Sequence, residues 1–328
     1  MLVYFPIHKP VQWHGEPIIK PSIVLGLDFG GSKVAAAVAD VDGRMLGSTV
    51  YDVRATDTAV QTFERSIHAV HSMLARCSSD RPLVAVGACT FGIPRDDGID
   101  LAPNIDGWES LPFGTLLRSA FSGAEIRLAT DVKAAAQAEV EGGALRGSDP
   151  GIYVNLGTGL AVALVVGGAV VSGRHGAAGE IGYNLRHPHA TSQGKRLEDV
   201  VSGKALQETA AGLPGAPDVG QLFDMPPTDA EVARILDEFM TELCFHLVNL
   251  TIALDPERIV VGGGLTRAWP RLRPRLAEAL ASSVPYPPEL AVAAHPYDAP
   301  LIGALALGRS AARQSHALRD VVSEGVSA

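Results

Sequence analysis

Apolar residues in this chain fall into short runs that close on glycine or aspartate, and their spacing changes along the sequence. The run 23–27 ends at Asp28-Phe29-Gly30-Gly31-Ser32-Lys33, and a second β-rich run, 34–39, ends at Asp40-Val41-Asp42-Gly43, a hairpin-turn signal. Residues 45–53 supply a third strand. Adjacent strands joined by a glycine-rich turn predict an antiparallel start, whereas a Rossmann unit passes from strand through glycine loop into helix. Ala59, Phe63, Ile67, Val70 and Leu74 recur at helical spacing, which predicts an amphipathic helix over about 57–78. Residues 83–88 read as a buried strand and 101–113 as a loop, with Pro103, Gly107 and Pro112. A strand at 126–129 leads into an Ala-rich helix at 131–141.

The second half begins again with a strand and a glycine turn. Residues 152–156 lead into Gly157-Thr158-Gly159, and 160–166 with 169–172 form a hairpin around Gly167-Gly168. This echoes 24–39 in order and chemistry, so the chain reads as two related halves. Helices follow at about 197–211 and 229–254. A strand at 258–261 closes on Gly262-Gly263-Gly264, and a helix at 301–313 returns to the first domain.

Length supports this division, since 328 residues exceed one ordinary core and suit two domains. Hydrophobic residues make up 47% and charged ones 19%, a globular balance, while 5% aromatics against 35 glycines predicts an Ala/Val/Leu core. A net charge of −9 argues against sequence-independent nucleic-acid binding. Cys77, Cys89 and Cys244 are odd in number and far apart, so they read as reduced thiols of a cytoplasmic protein. No apolar run reaches membrane-spanning length, and residues 1–21 lack a signal-peptide pattern. Their four prolines predict an extended arm, packed on the body or on a partner.

Three glycine turns carry candidate chemistry. At 28–33, Gly30 and Gly31 let backbone N–H groups approach phosphate oxygens, flanked by Ser32 and Lys33, and Asp28 suits Mg²⁺ directly or through water. A plain β-turn bearing a solvated Asp is the alternative. Gly157, Thr158 and Gly159 repeat the device, although any tight hairpin uses such a turn. Gly262, Gly263 and Gly264 allow flat contact with a nucleotide, or simply close packing. Asp131 lies between a strand and a helix, where it is either an N-cap or a general base for an attacking hydroxyl.

In this order the blocks resemble the ROK family of the sugar-kinase, heat-shock and actin-like ATPase superfamily, from about residue 23 to 308. Asp28-Phe-Gly-Gly-Ser-Lys33 is similar to that family's DxGGTK turn, Ala102-Pro-Asn-Ile-Asp-Gly-Trp108 to its APNLxGW loop, and Thr130 to Ala136 to NDANAAA. Gly157 to Gly159, Gly179-Glu-Ile-Gly182 and Asp255 to Gly264 follow in register. The resemblance implies an α/β, two-domain actin-like ATPase (ribonuclease H-like) fold with an interdomain cleft. The smaller domain comprises 22–129 plus 300–328, and the larger 130–299. It implies ATP and Mg²⁺, Asp131 as catalytic base, and a sugar held by Asn104, Asp131, Glu180, Tyr183 and Glu198, in a homodimer.

The departures bear on the acceptor. Tyr183 stands where the family places a His, and 184–196 lacks the cysteines of its zinc segment. His187 and His189 make a poor tetrahedral site. No structural zinc is therefore expected, and the loop must be held by packing or hydrogen bonds. Thr130 replaces an Asn and Phe91 a Pro near the same pocket. Only about 21 residues precede the first strand, too few for the helix-turn-helix of the repressor branch. The expectation is an ATP-dependent kinase of a hexose or hexose-like molecule, acting on a hydroxyl taken to be primary. A pseudo-sugar such as a C7-cyclitol is the alternative, followed by a non-catalytic sugar sensor and an ATPase without a small acceptor.

Overall fold

The computed structural model describes residues 22–325 apart from 55, 79, 103–105, 188, 190, 192–193 and 226–228, with only the backbone of 78 and 316–325. The first half runs β1 (Ile23–Phe29), β2 (Lys33–Asp40), β3 (Met45–Asp52), α1 (Ala59–Ser78), β4 (Leu83–Thr90) and a ribbon of β5 (Ile93–Pro94) with β6 (Ile99–Asp100). It continues through α2 (Phe113–Ala120) to β7 (Glu125–Thr130) and α3 (Asp131–Gly142). The second half runs β8 (Gly151–Leu156), β9 (Leu160–Val166), β10 (Ala169–Val170), α4 (Gly203–Ala210), α5 (Val219–Asp224) and α6 (Ala230–Leu254). It ends with β11 (Arg258–Gly262), α7 (Trp269–Ser283), β12 (Glu289–Val292) and α8 (Ala299–Gly325).

The two five-stranded sheets are ordered β3-β2-β1-β4-β7 and β10-β9-β8-β11-β12. In each, three antiparallel strands are followed by two joined in parallel. The same order and sense in both bears out the reading of two related halves.

Each sheet buries both faces. One face of the first holds Leu25, Leu27 and Phe29 against Phe63, Trp108 and Phe113. Phe29 stacks on Phe63 at 5.8 Å and meets Phe113 edge-on at 5.1 Å, so the few aromatics concentrate beneath the end of β1. The other face is lined by small residues and covered by α8. A Cβ on Gly87 would lie 1.9 Å from the Ala304 carbonyl oxygen, and one on Gly26 2.8 Å from Leu305. The second sheet packs Ile152, Val154, Ile259 and Val261 on Phe239, Leu243 and Leu272, and its reverse face packs Tyr153, Ala161 and Val260 on Val132 and Ala136 of α3. Helices α3 and α8 therefore lie between the sheets and touch each other. They meet at Gly303, where a Cβ would fall 1.7 Å from the Ala134 carbonyl oxygen.

Short elements at β5, β6, α2, α5 and β12 were not predicted, and three longer ones differ from expectation. The helix predicted over 197–211 is a 3-10 turn at Leu197–Asp199 followed by α4, because Ser202 caps α4 by accepting from the Ala205 N–H at 3.0 Å. Helix α7 has no sequence counterpart in the pattern, since Pro270 and Pro274 hide its Leu272, Leu276, Leu280 stripe. The last helix runs beyond 313 to Gly325.

Candidate active site

The parallel strands β1, β4 and β7 end in register: Asp28 pairs with Cys89 and Cys89 with Ala129, then Phe29 with Thr90 and Thr90 with Thr130. Side chains just past this edge therefore share one rim. From β1 the chain turns through Gly30, Gly31 and Ser32 into β2, and the Gly30 N–H donates to the Lys33 carbonyl at 2.9 Å. Gly31, Ser32 and Lys33 are exposed, and nothing lies within 4 Å of a Cβ built on Gly31. Below the turn, the Cys89 thiol donates to Asp28 Oδ1 and shares its proton with the Pro300 carbonyl, each at 3.5 Å. Burial raises the Asp28 carboxyl to about 6, against the pull of the Cys89 hydrogen bond and the Lys33 charge.

Asp131 opens α3 but does not cap it. The cap is Thr130, whose hydroxyl accepts from the Lys133 N–H at 3.2 Å. The N-cap alternative for Asp131 is thereby corrected. Asp131 Oδ1 accepts from the Val132 N–H at 2.8 Å, which fixes the carboxylate. Burial first and the Asp28 charge second raise this carboxyl to about 7, against the opposing pull of two backbone N–H groups and Lys133. A carboxyl held near neutrality accepts and releases a proton readily at working pH.

From Asp131 the charges continue into the second half. Lys133 Nζ lies 3.8 Å from Glu180 Oε1, and Lys133 is only 5% exposed. Burial raises the Glu180 carboxyl, with Lys133 opposing and Asp131 and Glu198 adding to the shift. Glu198 Oε2 accepts from the Leu160 N–H at 2.8 Å, beside Gly159. A continuous path thus joins Asp28, Asp131, Glu180, Glu198 and the turn at Gly157, Thr158 and Gly159. The N-terminus of α4 abuts that turn, with the Gly203 N–H donating to the Gly157 carbonyl at 2.8 Å.

Glycines 262–264 lie alongside, since Gly262 pairs with Asn155. Packing accounts for two of them. A Cβ on Gly262 would meet the Tyr153 hydroxyl at 2.1 Å, and Gly263, at φ +89, faces the Leu156 carbonyl at 2.4 Å. Only Gly264 has open space. Asn104 lies outside the described residues. Its block is anchored by Trp108, which is fully buried, stacks on Phe91 at 5.4 Å, and donates Nε1–H to the Thr90 hydroxyl at 3.2 Å.

Tyr183 is 39% exposed, with the Arg196 guanidinium 4.3 Å from its ring centroid. The segment beyond it is tied to α6. Arg186 donates to Glu242 Oε1 at 2.9 Å and to Glu238 Oε1 at 2.8 Å, and Asn184 Nδ2 lies 3.2 Å from His246 Nδ1. Burial lowers the His246 imidazole, so it stays neutral and its Nδ1 accepts from the Asn184 amide. A bridge between Leu185 and Arg196 closes the base of this loop. Hydrogen bonds and ion pairs thus hold it. Arg186→Ala leaves two carboxylates facing each other and is expected to cost about 1–3 kcal/mol in chemical denaturation. Adding Glu242→Gln should recover part of that loss.

Among the described residues, no three His, Cys, Asp or Glu side chains gather to form a metal site, and no helix is long and apolar enough to cross a membrane. Sequence reasoning assigned no role to Lys133 or Cys89. The signal for Lys133 was present, because lysine stands there at the second Asn of NDANAAA.

The ROK family profile matches residues 24–311. A glucokinase of Thermotoga maritima is 26% identical over 266 residues, covering 75% of this chain and 83% of that protein. The crystal structure of a ROK hexokinase from Thermus thermophilus superposes with a TM-score of 0.73 at 29% identity, covering 89% of this chain and 99% of the other. A ROK family glucokinase from Streptomyces griseus, solved in complex with glucose and AMPPNP, gives 0.68 at 25% identity, covering 88% of this chain and all of the other. The two-sheet architecture is that of the actin-like ATPase fold.

Proposed function

This chain belongs to the ROK family, and on that premise we propose that it transfers the γ-phosphoryl group of ATP to a hydroxyl of a hexose or hexose-like acceptor. The observation that carries this reading is Asp131: a half-buried carboxylate, freed from capping by Thr130, whose carboxyl is raised to about 7. In the reaction, the acceptor hydroxyl gives its proton to Asp131 as its oxygen attacks the γ-phosphorus. The bond from γ-phosphorus to the bridging oxygen breaks, and ADP leaves. Phosphoryl transfer asks little more of a protein than positioning and charge neutralisation.

The family resemblance supports the remaining roles. Gly30, Gly31, Ser32 and Lys33 face the phosphates from one half, and Gly157, Thr158 and Gly159 from the other, with Gly264 open toward the nucleotide. Asp28 suits Mg²⁺: its Oδ1 is engaged only by a weak thiol donor, and one or two carboxylates plus phosphates and water are what that ion takes. Mg²⁺, when bound, neutralises charge on the phosphate oxygens. Asn104, Glu180, Tyr183 and Glu198 hold the acceptor in a cleft between a smaller domain, 22–129 with 300–328, and a larger one, 130–299. Closure of that cleft excludes water.

A glucose complex in a relative favours a hexose acceptor. Tyr183, where the family places a His, and a following segment without its cysteines motivate the second reading, a pseudo-sugar such as a C7-cyclitol. A panel of hexoses and cyclitols with coupled detection of ADP separates the two. Turnover with hexoses supports the first, and uniform rejection of hexoses alongside cyclitol turnover establishes the second.

A further inference from the structure

Lys133 is the one ionised group of this cluster for which the reaction above has no use. Its Nζ makes no hydrogen bond, although its side chain is only 6% exposed. Glu180 stands 3.8 Å away, outside hydrogen-bond range, and is the more exposed partner at 23%. A buried ammonium with three unused donors carries a desolvation cost that hydrogen bonds normally offset. Lys133 also sits two residues beyond Asp131 on α3, so its stem is fixed by the helix that presents the base.

We propose that Lys133 and Glu180 together read one hydroxyl of the acceptor, and thereby select neutral polyols over sugar acids and ketones. An oxygen about 2.8–2.9 Å from each group fits as the apex over the 3.8 Å gap. A hydroxyl suits both sides, because it accepts from the ammonium while donating to the carboxylate. A carbonyl or carboxylate oxygen has no proton for Glu180 and meets it as an acceptor against an acceptor. The wider charge balance points the same way: the carboxyl groups of Asp28, Asp131, Glu180 and Glu198 outnumber the ammonium groups of Lys33 and Lys133, which disfavours a further anion. Burial lowers the Lys133 pKa, while Glu180 and Asp131 hold it up.

This inference rests on the kinase reading, and binding measured apart from turnover keeps the two distinguishable. Wild type, Lys133→Met and Lys133→Asn are titrated calorimetrically, with AMPPNP and Mg²⁺ present, against glucose, mannose, N-acetylmannosamine, myo-inositol and glucuronate. The tightest neutral polyol should bind about 10- to 100-fold more weakly to Lys133→Met, with AMPPNP affinity unchanged. Glucuronate should bind none of the three proteins. Among singly deoxygenated analogues of that polyol, one should bind wild type as weakly as Lys133→Met binds the parent, and the two proteins should not differ for it.

Equal polyol affinity in wild type and variants overturns the inference and leaves the kinase reading intact. Weakened binding in the variants without ADP formation by wild type sinks the kinase reading and keeps the inference. If no polyol binds wild type, both fall. Should the variants fail to fold, the wild-type deoxy series decides alone, and a flat series overturns the inference.

Discussion

Asp131→Asn should lower turnover by roughly two to four orders of magnitude while acceptor and nucleotide binding persist. The substitution keeps the size of the side chain and its Oδ1 contact to the Val132 N–H, but removes the site that takes the proton. In wild type the dependence on pH has a definite sign. The base must be ionised, and its value of about 7 lies above the ordinary 3.8, so kcat/KM should fall as pH drops through about 7. Stability moves in the opposite sense. A carboxyl with a raised folded-state pKa favours the folded state while protonated, and that contribution is lost as pH rises through about 7. Asp131→Asn should therefore raise the Tm, and more at pH 8 than at pH 5. Equal Tm shifts at both pH values would mean that Asp131 is not desolvated in the folded chain.

Gly303→Ala should be strongly destabilising, since among the described glycines it makes the shortest Cβ approach to a backbone atom. The new Cβ would sit 1.7 Å from the Ala134 carbonyl oxygen and 2.2 Å from its carbon, both backbone atoms of α3. No side chain can rotate aside, so α3 and α8 must separate. Overpacking of this kind costs about 3 kcal/mol or more by chemical denaturation. Activity should fall beyond what the folded fraction explains, because α3 carries Asp131 at its first position. Gly142→Ala is the control, lying on α3 with nothing within 4 Å of an added Cβ. It should be neutral, or stabilising by about 0.4–1 kcal/mol. A Gly303→Ala protein as stable as wild type would mean that the two helices are not in contact.

These two residues mark what the sequence made legible. The β1–β2 hairpin, the repeat of its order in the second half and the Asp131 helix were readable because local period and turn chemistry determine them. The ordered motifs then supplied the fold. The identity of the cap at Thr130 was not readable, since either Thr130 or Asp131 satisfies the same helix start. Nor was Gly303, whose requirement arises from a helix 169 residues earlier in the chain. The break before α4 falls at the Ser202 cap, a local signal, and Gly203 beside it meets the Gly157 carbonyl, a contact between distant segments. The glycines at 262 and 263 lie tight against Tyr153 and Leu156, a packing requirement that composition does not reveal and that stands beside the nucleotide contact expected there.

The central claim is a transfer between two bound substrates, and phosphorus NMR of one reaction mixture tests it most directly. Wild-type protein with ATP, Mg²⁺ and the acceptor identified from the panel should form one phosphomonoester for each ADP, and Asp131→Asn should form almost none over the same interval. Inorganic phosphate released at the same rate with or without acceptor would contradict the account.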